Sequence, residues 1–151
     1  ANQKSASLDG LEFNVQHIFG KTGFGISANY TFVNSGLKYD NNSIGEQFAL
    51  EGLSDSANLV VFYENDKWQV RAAYNWRDEF LSGYGLDPYY INAYGQWDVS
   101  ASWEFRKGMT VFAEGINVTN ADRSGHMRND QTVFFAAPGY ARYAAGLRVN
   151  F

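Results

Sequence analysis

Asp98 and Glu104, two carboxylates on one stretch of alternating sequence, are the nearest this chain comes to an acid–base pair. Their spacing argues against reaction chemistry. Six residues of extended chain put them roughly 20 Å apart, and carboxylates that act together sit within about 10 Å. His17 and His126 are the only histidines, and cysteine is absent. Disulfide and thiolate chemistry are thereby excluded within this chain. A metal would need carboxylates or residues from elsewhere, so neither a metal site nor a cofactor is expected, and both histidines read as rim or surface residues. The formal charge of −4 argues against nucleic acid, which calls for a basic face. The remaining residues suit binding. Tyr39, Tyr84, Tyr89, Tyr90, His126, Arg128 and Asp130 fall in polar connections and are candidate ligand contacts. A tyrosine offers both a ring face and a hydroxyl to a bound molecule. The competing role for these tyrosines is an interfacial girdle. Asn117-Val118-Thr119 matches a glycosylation sequon but reads as strand sequence.

Such residues have to be positioned by strands, because the dominant period of the chain is two. Ala141, Tyr143, Ala145, Leu147, Val149 and Phe151 share one face, and Arg142, Ala144, Gly146, Arg148 and Asn150 the other. One apolar and one polar face result. Aromatics towards both ends of the apolar face are the pattern of a lipid-facing strand between two girdles. Ending on Phe151 suggests a barrel whose last strand is its last element. About seven strands are predicted on this period: Leu8 to Phe19, Phe24 to Phe32, Ala57 to Tyr63, Trp68 to Arg77, Gln96 to Arg106, Met109 to Val118, and a final one. Thr132 to Ala137 begins that last strand, with Pro138-Gly139 as a bend near the rim, since proline cannot donate to a ladder. The sixth strand is ambiguous: Phe112, Ile116 and Val118 hold one parity, Met109, Val111 and Ala113 the other.

Parity assigns Trp68, Trp76, Trp97, Trp103, Phe105, Tyr143 and Phe151 to a lipid-facing side with its girdles. Arg71, Arg77, Asp98, Glu104, Arg106, Arg142 and Arg148 fall on the inward side. There they are wall residues of a polar interior, or contacts to whatever fills it. Short turns at 20–23, 64–67 and 106–108 alternate with long connections at 34–55, 78–94 and 119–131. Outer-membrane barrels separate their short and long connections in this way. Composition agrees: aromatics are 17% of residues, with 15 glycines and only 2 prolines, which suits strands closed by glycine turns. Mean hydropathy is negative and no apolar run approaches the ~18 residues of a transmembrane helix. A barrel wall escapes that test, because every second residue faces its interior. Ala1 to Ser5 leads into no apolar core, so no signal peptide is expected here.

Seven strands at ~4.8 Å span an arc of roughly 34 Å, and bacterial single-chain barrels close with an even number. Two open edges in hydrocarbon would cost tens of kcal/mol, beyond the ~5–15 kcal/mol net stability of a domain. Residues 1–151 are therefore expected to be the C-terminal wall segment of a larger barrel, or one piece of a nicked or split protein, without a second domain.

Three stretches resemble TonB-dependent outer-membrane receptors. Tyr63-Glu64-Asn65-Asp66-Lys67-Trp68, followed by Val70 to Glu79, is similar to a late hairpin in which a short acidic turn leads into an "S/A-x-Y-N-x-R" strand. Met109 to Asn120 resembles the family's "L-x-V-x-x-x-x-N-L-T/F-N/D" strand. Pro138-Gly139-Tyr140-Ala141-Arg142 through Phe151 is similar to its final segment, with Tyr140 where a basic residue usually follows the glycine. Residues 1–53 fit by pattern only. The resemblance implies the C-terminal part of an all-β transmembrane barrel of about 22 strands with an N-terminal plug, in the bacterial outer membrane. It implies import, without catalysis, of a scarce ligand: a siderophore or other iron chelate, cobalamin, or an oligosaccharide. The implied partners are lipid, the remaining strands, the plug and, through the plug, TonB; plug and TonB box are expected outside this chain. The final strand would carry the aromatic pattern recognised by the barrel-assembly machinery. Two rivals stand beside this reading. A passive porin would share the wall but lack a TonB-coupled plug. A soluble ligand-binding β-barrel would pack its apolar parity into a protein core.

Overall fold

The computed structural model describes residues 5–150, so Phe151 lies outside the described residues. The strands are β1 (Leu8–Ile18), β2 (Phe24–Ser35), β3 (Ser56–Glu64), β4 (Trp68–Arg77), β5 (Phe80–Tyr84) and β6 (Pro88–Ile91). They continue with β7 (Tyr94–Arg106), β8 (Met109–Ile116), β9 (Arg123–His126), β10 (Val133–Ala137) and β11 (Arg142–Val149). The fold is all-β. One seven-stranded antiparallel sheet, the wall, has the order β1-β2-β3-β4-β7-β8-β11, and a four-stranded sheet has the order β10-β9-β6-β5.

The seven wall strands are the seven that the two-residue period predicts. Register fixes their faces, because directly opposed residues share a side of the sheet. His17, Ile26, Val61, Ala72, Val99, Gly115 and Tyr143 form one row of the apolar face. The row Phe62, Arg71, Ser100 and Glu114 belongs to the polar face. Register also settles the ambiguous strand. Val111 opposes Trp103 and Leu147, whereas Phe112 opposes Ser102 and Gly146 on the polar side.

Three sequence expectations are corrected. Residues 132–137 do not begin the final wall strand; they form β10, which pairs with β9 in the second sheet. The connections 78–94 and 119–131 are not plain loops, since they hold β5, β6 and β9. Asn117-Val118-Thr119 is not strand sequence: β8 ends at Ile116, and Asn117 (φ 53°) and Asn120 (φ 52°) are left-handed. The order of the small sheet explains the arrangement. β5, β6, β9 and β10 are the continuations of β4, β7, β8 and β11 beyond breaks at 78–79, 92–93, 117–122 and 138–141. The two long hairpins rise past the rim and pair again through Tyr90 and Ile91 with His126 and Gly125.

Short turns are closed by side chains that stand in for ladder partners. Asn65 Oδ1 accepts the amides of Lys67 (2.9 Å) and Trp68 (2.8 Å), and Glu104 Oε1 accepts that of Gly108 (2.8 Å). An aspartate- or asparagine-type turn of this sort needs no long loop.

A core is what the wall lacks. The buried hydrophobic residues among those described are Ala49 and Leu81, and neither is in the wall. Leu11 (63% exposed), Val15 (63%) and Tyr143 (72%) stand bare on the apolar face.

Candidate functional site

Beyond the rim, β5, β6, β9, β10 and the irregular connection 36–55 form a cap, and Arg128 ties it together. Its Nε donates to Asp87 Oδ1 at 3.1 Å, Nη1 to the carbonyls of Asn41 and Ser43 (3.2 Å), and Nη2 to the Tyr39 hydroxyl at 3.3 Å. One guanidinium thus joins the tip after β9, the tip between β5 and β6, and the connection 36–55. The bond to Asp87 makes Arg128 hold its proton more firmly than an ordinary arginine. Only a planar fork with several donors can serve so many acceptors at once.

Aromatic rings complete the cap. Tyr39 and Tyr84 lie 5.5 Å apart, and the Tyr84 hydroxyl accepts the Ala49 amide (3.2 Å) and donates to the Ala49 carbonyl (3.3 Å). Tyr90 stacks on His126 at 5.1 Å and donates to Asn41 Oδ1 at 3.0 Å. Partial burial raises the pKa of the Tyr90 hydroxyl. His126 is buried, with Nδ1 2.6 Å from the Met127 carbonyl and Nε2 3.1 Å from Glu79 Oε2. When the ring is protonated, both nitrogens donate. A cavity of about 400 Å³ adjoins this cluster, with Lys38, Tyr39, Asp55, Asp78, Glu79 and Tyr90 among its lining.

Of the candidate ligand contacts, Tyr39, Tyr84, Tyr90, His126 and Arg128 are brought together. Tyr89 packs instead on Phe134 (5.1 Å), and Asp130 is exposed with no side-chain bond among the described residues. Sequence reasoning missed the acidic anchors. Asp55 accepts the Tyr30 hydroxyl (2.7 Å) and the Val33 amide (3.0 Å), fastening the connection 36–55 to the wall. Glu79 and Asp87 hold the histidine and the arginine. Asp87-Pro88 is a turn dipeptide, the single sequence signal for any of the three. Glu79 and His126 gather no third ligand-type side chain among the described residues.

On the wall, register places Arg71, Arg77, Asp98, Glu104, Arg142 and Arg148 on the polar face. A bulge after Glu104 pairs Arg106 with Met109, outside that alternation. Arg77 donates to Ser54 Oγ at 2.8 Å and lies 3.9 Å over the Phe80 ring, so it straps the connection 36–55. Asp98 accepts the Gln96 side-chain amide (2.6 Å) and the Asn117 backbone amide (2.8 Å). Arg148 lies 5.9 Å over Phe112, while Arg71 and Arg142 are exposed. The one ion pair of permanently charged groups among the described residues, Arg128–Asp87, and the His126–Glu79 contact both belong to the cap. On the apolar face, Trp68 and Trp103 stack at 5.1 Å beside the short turns, with Phe105 6.0 Å from Trp103. Towards the rim, Trp76 stacks with Tyr30 (6.4 Å), and Trp97 packs at a tilt against Tyr74 (5.0 Å).

Comparison with known proteins agrees with this architecture. The family model described as TonB dependent receptor-like, beta-barrel, matches residues 1–118. The match takes in residues 1–53, where only the alternation pointed to the family, and stops short of the final segment. No curated protein and no solved structure matches the chain. With most of its length matched, the chain belongs to the TonB-dependent receptor β-barrel family, whose members are outer-membrane transport receptors.

Proposed function

We propose that residues 1–151 form seven adjacent wall strands of a ligand importer in the bacterial outer membrane. In this reading the apolar face meets acyl chains and the polar face meets the lumen. The observation that carries it is the unburied apolar face: a chain of 17.0 kDa whose buried hydrophobic residues, among those described, are Ala49 and Leu81. The hydrocarbon of a bilayer is the solvent in which that face is stable. Among the described residues β1 and β11 each have one neighbour, and their free edges pair with further strands of the same barrel, because open ladders are not tolerated in lipid. Ligand is captured by the cap, with Tyr39, Tyr84, Tyr90, His126 and Arg128 shaping its entrance. Arg71, Arg142 and Arg148 line the way past the wall or contact the plug. TonB drives release through a plug outside this chain. The wall itself performs no catalysis.

Arginine scanning tests the assignment of faces. Ala72→Arg and Ala101→Arg are expected to destabilise the barrel by ~2–4 kcal/mol near the midplane and to block membrane assembly. Ser100→Arg, one residue away on the polar face, is expected to assemble. Normal insertion of Ala72→Arg, read by heat-modifiable migration of outer-membrane fractions, would reject the assignment.

A further inference from the structure

A bulge turns one cation of the wall outward. Along β7, Asp98, Ser100, Ser102 and Glu104 hold the polar face, and plain alternation would add Arg106 to them. After Glu104 the register slips, and Arg106 stands opposite Met109, whose partner on β11 is Val149. Met109 and Val149 keep the parity of Val111 and Leu147, which is that of the apolar face. Opposed residues share a side of the sheet, so Arg106 belongs to the apolar face at its short-turn end. Re-aiming a side chain near a barrel rim is a usual consequence of a bulge.

The next row of that face, roughly 7 Å along the strands, is the stacked pair Trp68 and Trp103, whose indole planes are 9° apart. Trp68 is 42% and Trp103 39% exposed, and neither indole N–H has an acceptor among the described residues. Beyond the indoles lies a groove of about 250 Å³ with apolar walls, lined by Trp68, Ala101, Trp103, Val111 and Ala113. Along the strands the order is therefore cation, indole N–H, apolar groove. Lys107, exposed at the turn beside Arg106, is a second cation with no ion pair among the described residues. Nearby carboxylates do not cancel the two. Glu64 and Glu104 lie on the polar face and accept from Gln69 Nε2 (3.1 Å) and the Gly108 amide (2.8 Å). Asp66, exposed in the β3–β4 turn, has Lys67 next to it and makes no ion pair with Arg106.

Each group in this order calls for a different part of one molecule. A guanidinium grips phosphate through two parallel bonds. An indole at the edge of hydrocarbon seeks an acceptor for its N–H, which an ester carbonyl supplies. An apolar groove on a lipid-facing surface takes an acyl chain. Two cations together favour a headgroup of net negative charge. Short turns lie at the periplasmic end of outer-membrane barrels, so the site faces the inner leaflet. We propose that the β7–β8 hairpin holds one anionic phospholipid of that leaflet, its phosphate on Arg106 and Lys107 and a chain in the groove beside Trp103. The proposal rests on the transport reading above.

The test uses the full gene product, extracted from outer membranes and delipidated in detergent. Native mass spectrometry then reads the retention of dioleoylphosphatidylglycerol against dioleoylphosphatidylcholine, added in equal amounts. The expected result is a preference for phosphatidylglycerol that falls about tenfold in Arg106→Gln/Lys107→Gln and persists in Lys21→Gln, a charge removed from another short turn. Ala113→Phe, which fills the groove and spares both cations, should weaken retention as well. If the double variant does not assemble, Arg106→Gln alone, at an exposed position, supplies the comparison. Equal retention of the two lipids overturns the proposal, since a cation that merely borders the membrane does not discriminate. So does a preference that survives loss of Arg106 and Lys107, or one lost equally in Lys21→Gln. Displacement of the lipid by excess inorganic phosphate, or full retention in Ala113→Phe, overturns it by removing the chain from the site. All of these leave the transport reading intact. A gene product absent from the outer membrane overturns that reading, and the lipid site with it.

Discussion

Asn117 shows how much of a barrel rim can depend on one side chain. Its Oδ1 accepts the Ala121 amide (2.8 Å), its Nδ2 donates to the Ala121 carbonyl (3.1 Å), and its backbone amide is taken by Asp98. The left-handed φ of 53° suits asparagine better than most residues. Asn117→Ala should cost about 2–4 kcal/mol, from the lost bonds and the strained φ. Asn117→Gly keeps the φ and should recover about 1–2 kcal/mol of that, as read by denaturant unfolding of the barrel in micelles. In the cap, Arg128→Lys keeps the charge but loses the fork, and faster proteolysis within 36–55 is the expected outcome. Tyr90 gives a pH dependence of known sign. Its hydroxyl ionises less readily in the folded cap than in an unfolded chain. Its contribution is therefore complete below the ordinary tyrosine range near 10 and is lost as pH rises through the raised value. Cap protection measured by limited proteolysis should decline on that alkaline limb, and Tyr90→Phe should flatten the decline.

At the scale of elements, the high aromatic and glycine contents turn out to be one feature. Rings cover strand glycines across the ladder: Phe62 over Gly25, Tyr74 over Gly95, Phe112 over Gly146, Tyr143 over Gly115, Tyr89 over Gly83 and Phe135 over Gly125. Each ring occupies the space a Cβ would need, the aromatic rescue of a residue that alone weakens a strand. Gly25→Val should displace the Phe62 ring and cost about 1–3 kcal/mol by overpacking, with Phe62→Ala partly relieving it in the double variant. These pairs also explain what the sequence could and could not reveal. The wall strands were legible because a half-exposed sheet enforces a period of two over eight or more residues. The parity of β8 was not, because Phe112 faces the polar side to cover Gly146, a partner distant in sequence. β5 and β6 escaped notice for a different reason. They are 5 and 4 residues long and their pairing is interrupted by a bulge between Leu81 and Gly83, so too little alternation survives to be read. The cap residues were found by type, as tyrosines and an arginine in polar connections. Their acidic partners Asp55, Glu79 and Asp87 follow no period and emerge only from geometry.

At the scale of the whole molecule, surface area makes the case for a nonaqueous neighbour. The chain exposes 10819 Å², whereas a compact monomer of 17.0 kDa is expected to expose about 7,700 Å². The wall is a sheet whose two faces differ in chemistry and whose two edges each lack a partner among the described residues. An aqueous domain would fold such a sheet over a core. The most direct measurement of what replaces that core is site-directed spin labelling, for which residues 1–151 supply no competing cysteine. Labels would be placed by Ala72→Cys and Ala101→Cys, with Ser100→Cys as the polar-face control, in the full gene product in lipid vesicles. Labels at 72 and 101 should collide with oxygen and be shielded from a water-soluble nickel chelate, and the label at 100 should show the reverse. Nickel access at 72 and 101 equal to that at 100, or shielding of both from either reagent, would contradict the account.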